Sequence, residues 1–144
     1  MKRGDKGHYS KKHPPGRRSD PQIAQAVKQK SAKGEISCAT AFGISRDLAV
    51  DPAEVGFAMD SLELRIVKCQ LGLFGYRPEK RIVKPAERVK QTLEAAIRRS
   101  LVDARLPCRA AWDIAKKEKI GKIEVASACE ALKIRISACQ LGAF

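Results

Sequence analysis

The sequence predicts a mainly α-helical protein built from two tandem three-helix units, each followed by a short strand. Three observations point there. Residues 21–74 recur without a gap at 91–144, so that Cys69-Gln70-Leu71-Gly72 falls on Cys139-Gln140-Leu141-Gly142 and Phe74 on Phe144. An ungapped recurrence of this kind marks a duplicated structural unit. Aromatic residues make up only 5% of the chain, so the core must come from Ala, Ile, Leu and Val, a mixture that favours helices over a β-sandwich. Apolar residues recur at helical spacing, and the stretches are punctuated by Asp-Pro.

The expected elements follow in order. Asp20-Pro21 opens a first helix, with Asp as N-cap and Pro at the first helical position. Ile23, Ala26 and Val27 form its apolar stripe, and Gly34 closes it. A second helix is expected from Ile36 to Leu48, with Cys38, Ala41, Phe42, Ile44 and Leu48 facing inward. After a break at Ala49-Val50, Asp51-Pro52-Ala53-Glu54 starts a third helix with the signature of a capping box. Its buried face is expected at Val55, Ala58, Met59 and Leu62. Leu64–Val67 and Ile134–Ser137 read as strands from their alternation and β-branched content. Arg81-Ile82-Val83-Lys84 is a candidate return strand for the first of these. The second has no such partner downstream, so the two strands are expected to pair with each other about a pseudo-two-fold axis, which would cover both edges. The expected layout is therefore a disordered basic tail at 1–20, repeat 1 at 21–76, a basic linker or strand at 77–86, and repeat 2 at 87–144.

The run from Ile44 through Leu48, Ala49, Val50, Asp51, Val55 and Ala58 to Leu62 resembles the helix-turn-helix motif of bacterial transcription regulators. The match spans about twenty residues in each copy, from Ile114 to Leu132 in the second. The family usually carries Gly at the turn, where this chain has Ala49 and Lys119. The strand after the third helix resembles the wing of winged-helix proteins. The resemblance implies DNA binding, with the third helix contacting bases and the second crossing the backbone. Mapped here, the reading face is Ala53, Glu54, Gly56, Phe57 and Asp60 in copy 1, and Lys122, Glu124, Ser127 and Glu130 in copy 2. The first of these faces has no Arg, Lys, Asn or Gln to read base edges. A protein-interaction or packing role fits it better.

Charge supports a polyanionic partner. The net charge is +13, and such an excess most often meets nucleic acid. It is uneven: repeat 1 is balanced, while the tail, the linker and repeat 2 carry the surplus. The candidate phosphate contacts are Lys2, Arg3, Lys6, Lys11, Lys12, Arg17 and Arg18 in the tail, Arg77, Lys80 and Arg81 in the linker, and Arg98, Arg99, Lys116, Lys117, Lys119, Lys122 and Ser127 in repeat 2. A basic tail that also holds His8, Tyr9 and His13 suits RNA as well, so an RNA- or ribosome-associated protein is the alternative partner reading. Repeat 1 is a candidate surface for a homodimer or another protein.

The five cysteines include no CxxC pair, and the count is odd, which disfavours a secreted disulfide framework. Cys38 and Cys69 recur as Cys108 and Cys139. These four are weak candidates for a metal or redox site, and an adaptor or thiol sensor is the third function class. Buried structural thiols are the simpler reading, and no cofactor is expected. Both histidines lie in the tail, and the chain has no Gly-rich phosphate loop and no GxSxG, so an enzyme is not expected. Phe42 and Trp112 occupy equivalent positions and both read as core. No apolar run reaches the roughly 20 residues that span a bilayer, and the first residues lack the apolar segment of a secretory signal. The expected location is the cytoplasm, with no membrane partner.

Overall fold

The structure, a computed structural model, describes residues 8–144. It is mainly helical. A 3-10 turn, Tyr9–Lys12, precedes α1 (Pro21–Lys30), β1 (Glu35–Ser37), α2 (Cys38–Leu48), α3 (Pro52–Ser61) and β2 (Arg65–Val67). Then come α4 (Gln91–Arg99), β3 (Leu106–Pro107), α5 (Cys108–Glu118), α6 (Lys122–Leu132) and β4 (Ile136–Ser137). No described helix is long and apolar enough to cross a membrane.

The caps explain several of these boundaries. Asp20 accepts a hydrogen bond from the Gln22 amide at 2.8 Å, and Asp51 accepts one from the Ala53 amide at 2.9 Å. The expected capping box does not form: the Asp51 side chain caps the second helical amide rather than that of Glu54, and the Glu54 carboxylate lies 3.3 Å from Arg17. α1 ends earlier than expected, at Lys30, with the Ser31 amide bonded back to Val27. Gly34, at φ +75°, serves the turn into β1. α2 also starts later than the periodicity suggested. Ser37 caps it by accepting from the Thr40 amide at 3.1 Å, which leaves residues 35–37 extended.

The strands pair differently from expectation. β1 and β2 run parallel, with Glu35 opposite Arg65 and Ser37 opposite Val67. β3 and β4 do the same, with Leu106 opposite Ile136. The strand at 65–67 therefore does not pair with the one at 136–137, and the hairpin of a wing does not form. Residues 81–84 are not a strand. The physical reason is proximity: the strand that leads into α2 lies ready beside the strand that leaves α3, and satisfies its edge at once.

The chain divides into two compact units, and the division differs from the repeat boundaries. One holds the described residues up to Cys69 together with Gln140–Phe144, and the other holds Gln70–Cys139. Each unit thus takes its Gln-Leu-Gly-x-Phe segment from the other repeat. In the first unit α1 and α2 both pack on α3, and α3 is enclosed: Val55, Gly56, Phe57, Ala58, Met59 and Asp60 are all buried. The one-sided face expected at Val55, Ala58, Met59 and Leu62 is too narrow, and Leu62 is only half-buried. In the second unit the core is Ile97, Leu106, Ala111, Val125, Ala128 and Cys129, with Leu71 supplied by the segment at 70–74.

α2 and α5 end on left-handed residues, Ala49 at φ 53°, ψ 46° and Lys119 at φ 57°, ψ 44°. A residue with a Cβ is disfavoured there by roughly 1–2 kcal/mol, against about 0.5–1 kcal/mol of extra chain entropy lost by Gly. Ala49→Gly and Lys119→Gly should therefore each stabilise by about 0.5–1 kcal/mol. Thermal unfolding checks this, and a lower midpoint in both variants would contradict it.

Candidate nucleic-acid interface

The candidate interface was expected to combine the tail, the linker and repeat 2. Lys2, Arg3 and Lys6 lie outside the described residues. The described part of the tail does not stand free: it is built onto α3. Tyr9 is 2% exposed. Its amide donates to Glu63 Oε2 at 2.8 Å, and the Ser10 amide and hydroxyl donate to Glu63 Oε1 at 3.2 and 2.9 Å. Lys12 Nζ and His13 Nε2 both meet Asp60 Oδ2, at 3.0 and 2.8 Å. Asp60 is buried, so these two groups supply the compensation that a buried carboxylate needs. The Arg17 guanidinium stacks 3.8 Å from the Phe57 ring centroid and lies 3.3 Å from Glu54, and His13 packs edge-on against the same ring at 4.7 Å. A pocket of about 440 Å³ between tail and helix is lined by Lys11, His13, Pro14, Arg17, Phe57 and others.

This arrangement withdraws the reading face of copy 1. Gly56, Phe57 and Asp60 are buried under tail and core, leaving Ala53 and Glu54 exposed. It also commits Lys12 and Arg17 to internal pairs, while Lys11 and Arg18 remain exposed.

In the second unit the linker takes the corresponding place. The Ala86 amide donates to the Ser127 carbonyl at 3.0 Å, and Arg81 forms an ion pair with Glu130. The Ile82 and Val83 amides donate to Gly72 O at 2.9 and 3.2 Å, and Val83 is buried. Arg77 and Lys80 lie exposed in the preceding loop. Ser127 is half-buried beside the linker, in a cleft of about 330 Å³ lined by Arg88, Lys90, Leu93, Glu118, Ile120 and Glu124 among others.

The remaining basic residues of repeat 2 fall in two places. Lys116 and Lys117 occupy the last turn of α5, Lys119 caps it, and Lys122 begins α6. The first three are exposed, and among the described residues none of the three has a salt-bridge partner. Lys122 Nζ sits 4.5 Å from the centroid of the Trp112 ring. Trp112 is half-buried, whereas the equivalent Phe42 is buried, so the two are not alike as core residues. Arg98 and Arg99 form a separate patch. The start of α4 lines the cleft with the end of α5, and the arginines lie at the other end of a helix about 13 Å long. Arg98 is also paired with Glu94 at 2.8 Å.

No residue signal marked Asp60, Glu63 and Phe57 as the seat of the tail.

The cysteines do not converge. Cys38 and Cys108 head α2 and α5, Cys69 follows β2, and all five are thiols. Among the described residues no group of three His, Cys, Asp or Glu side chains is placed to hold a metal. Burial pushes the Cys129 thiol up to about 11. No protein-family model matches the chain, and neither a curated protein nor a solved structure matches it.

Two outcomes follow from these environments. Burial raises the pKa of the Glu63 carboxyl, but the Tyr9 amide, the Ser10 hydroxyl and amide, and nearby His8 more than offset this, so it is held below its ordinary 4.5. A lowered folded-state value stabilises above the unfolded value and is lost as pH falls through the folded one. Hydrogen exchange at the Tyr9 and Ser10 amides, corrected for intrinsic rates, should therefore accelerate below about pH 4.5. It should already be fast at neutral pH in Glu63→Gln; protection that is flat across this range would argue against Glu63 as the anchor. Thiol titration of the native protein should find only the half-buried Cys139 reactive, with all five thiols reacting after unfolding.

Proposed function

We propose that the protein binds nucleic acid, duplex DNA in preference to RNA, by phosphate contacts centred on the corner between α5 and α6. One observation carries the reading. The same helix corner occurs twice, with left-handed caps that agree within a few degrees, yet its charge differs: Arg46, Asp47, Ala49 and Pro52 stand in one copy, and Lys116, Lys117, Lys119 and Lys122 in the other. Lysines in the last turn of a helix are favoured by its dipole, which accounts for Lys116 and Lys117 alone. Lys122 stands at the first position of the next helix, the end where a cation is disfavoured, and is held over the Trp112 ring, which places a fourth positive charge at the corner.

The left-handed residue at 49 and 119 also supports the resemblance to helix-turn-helix proteins, because it is the conformation that the family's Gly adopts without strain. In that reading α5 lies along the phosphate backbone. The outward side of α6 offers Lys122, Glu124 and half-buried Ser127 and Glu130, a set poor in base-reading groups. Affinity should therefore come mainly from phosphates, with little sequence preference. The exposed Lys11, Arg18, Arg77 and Lys80 extend the same basic character.

Binding of the whole chain to duplex DNA and to RNA of matching sequence, at several salt concentrations, tests this. With the four corner lysines on phosphates, log affinity should fall against log salt with a slope of about −3 to −4. Lys116→Ala with Lys117→Ala should reduce that slope by about 2 and leave the fold intact. Trp112, the single tryptophan, should change its emission as Lys122 moves toward phosphate. Salt-independent affinity, or a double variant that binds as wild type, would remove the corner from the interface. Tighter binding to RNA would reassign the partner.

A further inference from the structure

Residues 140–144 complete the unit that contains α3, although the chain immediately before them, through Cys139, belongs to the other unit. The seat is specific. A Cβ at Gly56 would collide with the Leu141 carbonyl, so only Gly on α3 lets that backbone lie against the helix. The equivalent residue of α6 is Ala126. Lys12 Nζ donates to the Gly142 carbonyl at 2.9 Å, and Leu141 and Ala143 are buried at 2% and 4% exposure. The segment is short and apolar at alternate positions, and these contacts would be the same whichever molecule supplied them.

The hinge is strained. Ala138, the residue after β4, sits at φ 51°, and Lys68 occupies the equivalent place at φ 52°. Both carry a Cβ in a backbone region that suits Gly. An extended conformation at residue 138 would relieve this and redirect the segment away from its own seat. Strained short hinges next to a detachable element favour exchange between identical molecules.

We propose that a second copy of this chain can supply residues 140–144 to the Gly56 seat, so that two molecules associate by exchanging this segment. Within one molecule the tether gives the segment an effective concentration of order millimolar. Exchange in the unaltered protein is therefore expected only at comparable protein concentration, or after refolding from a concentrated unfolded solution.

Two full-length variants test it by complementation. Gly56→Leu closes the seat and leaves the segment without a site, while Leu141→Asp spoils the segment and leaves the seat open. Each alone should be monomeric by light scattering. Their mixture should give a one-to-one heterodimer, in which the intact segment of the first fills the intact seat of the second. A mixture that stays monomeric while both variants keep wild-type helical circular dichroism overturns the proposal. A pair of hinge variants leaves seat and segment untouched and remains decisive if the first pair does not fold. After refolding at millimolar concentration, Ala138→Val, which disfavours the left-handed region, should give at least about five times the dimer fraction of Ala138→Gly, which tolerates it. Equal fractions in the two hinge variants, or no dimer in either, overturn the proposal as well.

Discussion

The structure of the first unit depends on one constraint: α3 is apolar or sterically restricted around its whole circumference. Six successive residues from Val55 to Asp60 are buried. A helix buried on every side cannot be a surface helix with one greasy stripe; it needs neighbours all round. α1 and α2 supply part of the cover. The rest comes from residues remote in sequence, the tail around Tyr9–Arg17 and the segment at 140–144. Gly56 and Asp60 are the two positions that make this possible. Gly56 removes the side chain that would hold a backbone away, and Asp60 fixes Lys12 and His13 with a carboxylate that would be costly to bury alone.

From Val55 to Asp60 α3 is covered, and only its ends, at Ala53, Glu54 and Ser61, keep exposed residues. The second unit follows the same plan with different chemistry. Its linker lies against α6 through the Ser127 carbonyl and Glu130. Its exposed charge at Lys116, Lys117 and Lys119 sits on the corner instead, where among the described residues no carboxylate pairs with it. The corner lysines thus give the second unit an exposed basic surface that the first unit lacks. Charge on a solvent-exposed corner changes the energy of folding little, so the two copies could diverge there at little cost.

The sequence carried the helices well because their signals are local. Asp20-Pro21 and Asp51-Pro52 mark helix starts through caps made within two residues, and both caps form. The break at Ala49-Val50 was visible as an interruption of the apolar period. Strand pairing was not visible, because two- or three-residue strands carry no register information of their own. The seating of residues 9–17 was hidden for a related reason. Lys, Arg, Gly and Pro near Tyr9 have the composition of a disordered arm, and what orders them is a set of acceptors some fifty residues away, Asp60 and Glu63.

The recurrence of residues at an offset of 70, the helical class, the caps and the uneven charge were determined by the sequence alone, since each depends on the residues themselves, on neighbours along the chain or on a simple sum. The tertiary structure decided which strands pair, that the tail seats on α3, and that residues 140–144 belong with the first unit. It also decided which basic residues remain unpaired, sorting Lys116, Lys117 and Lys119 from Lys12, Arg17, Arg81 and Arg98. Those outcomes depend on contacts between residues far apart in the chain, and the pattern of a segment says what it can bury without saying which distant surface will bury it.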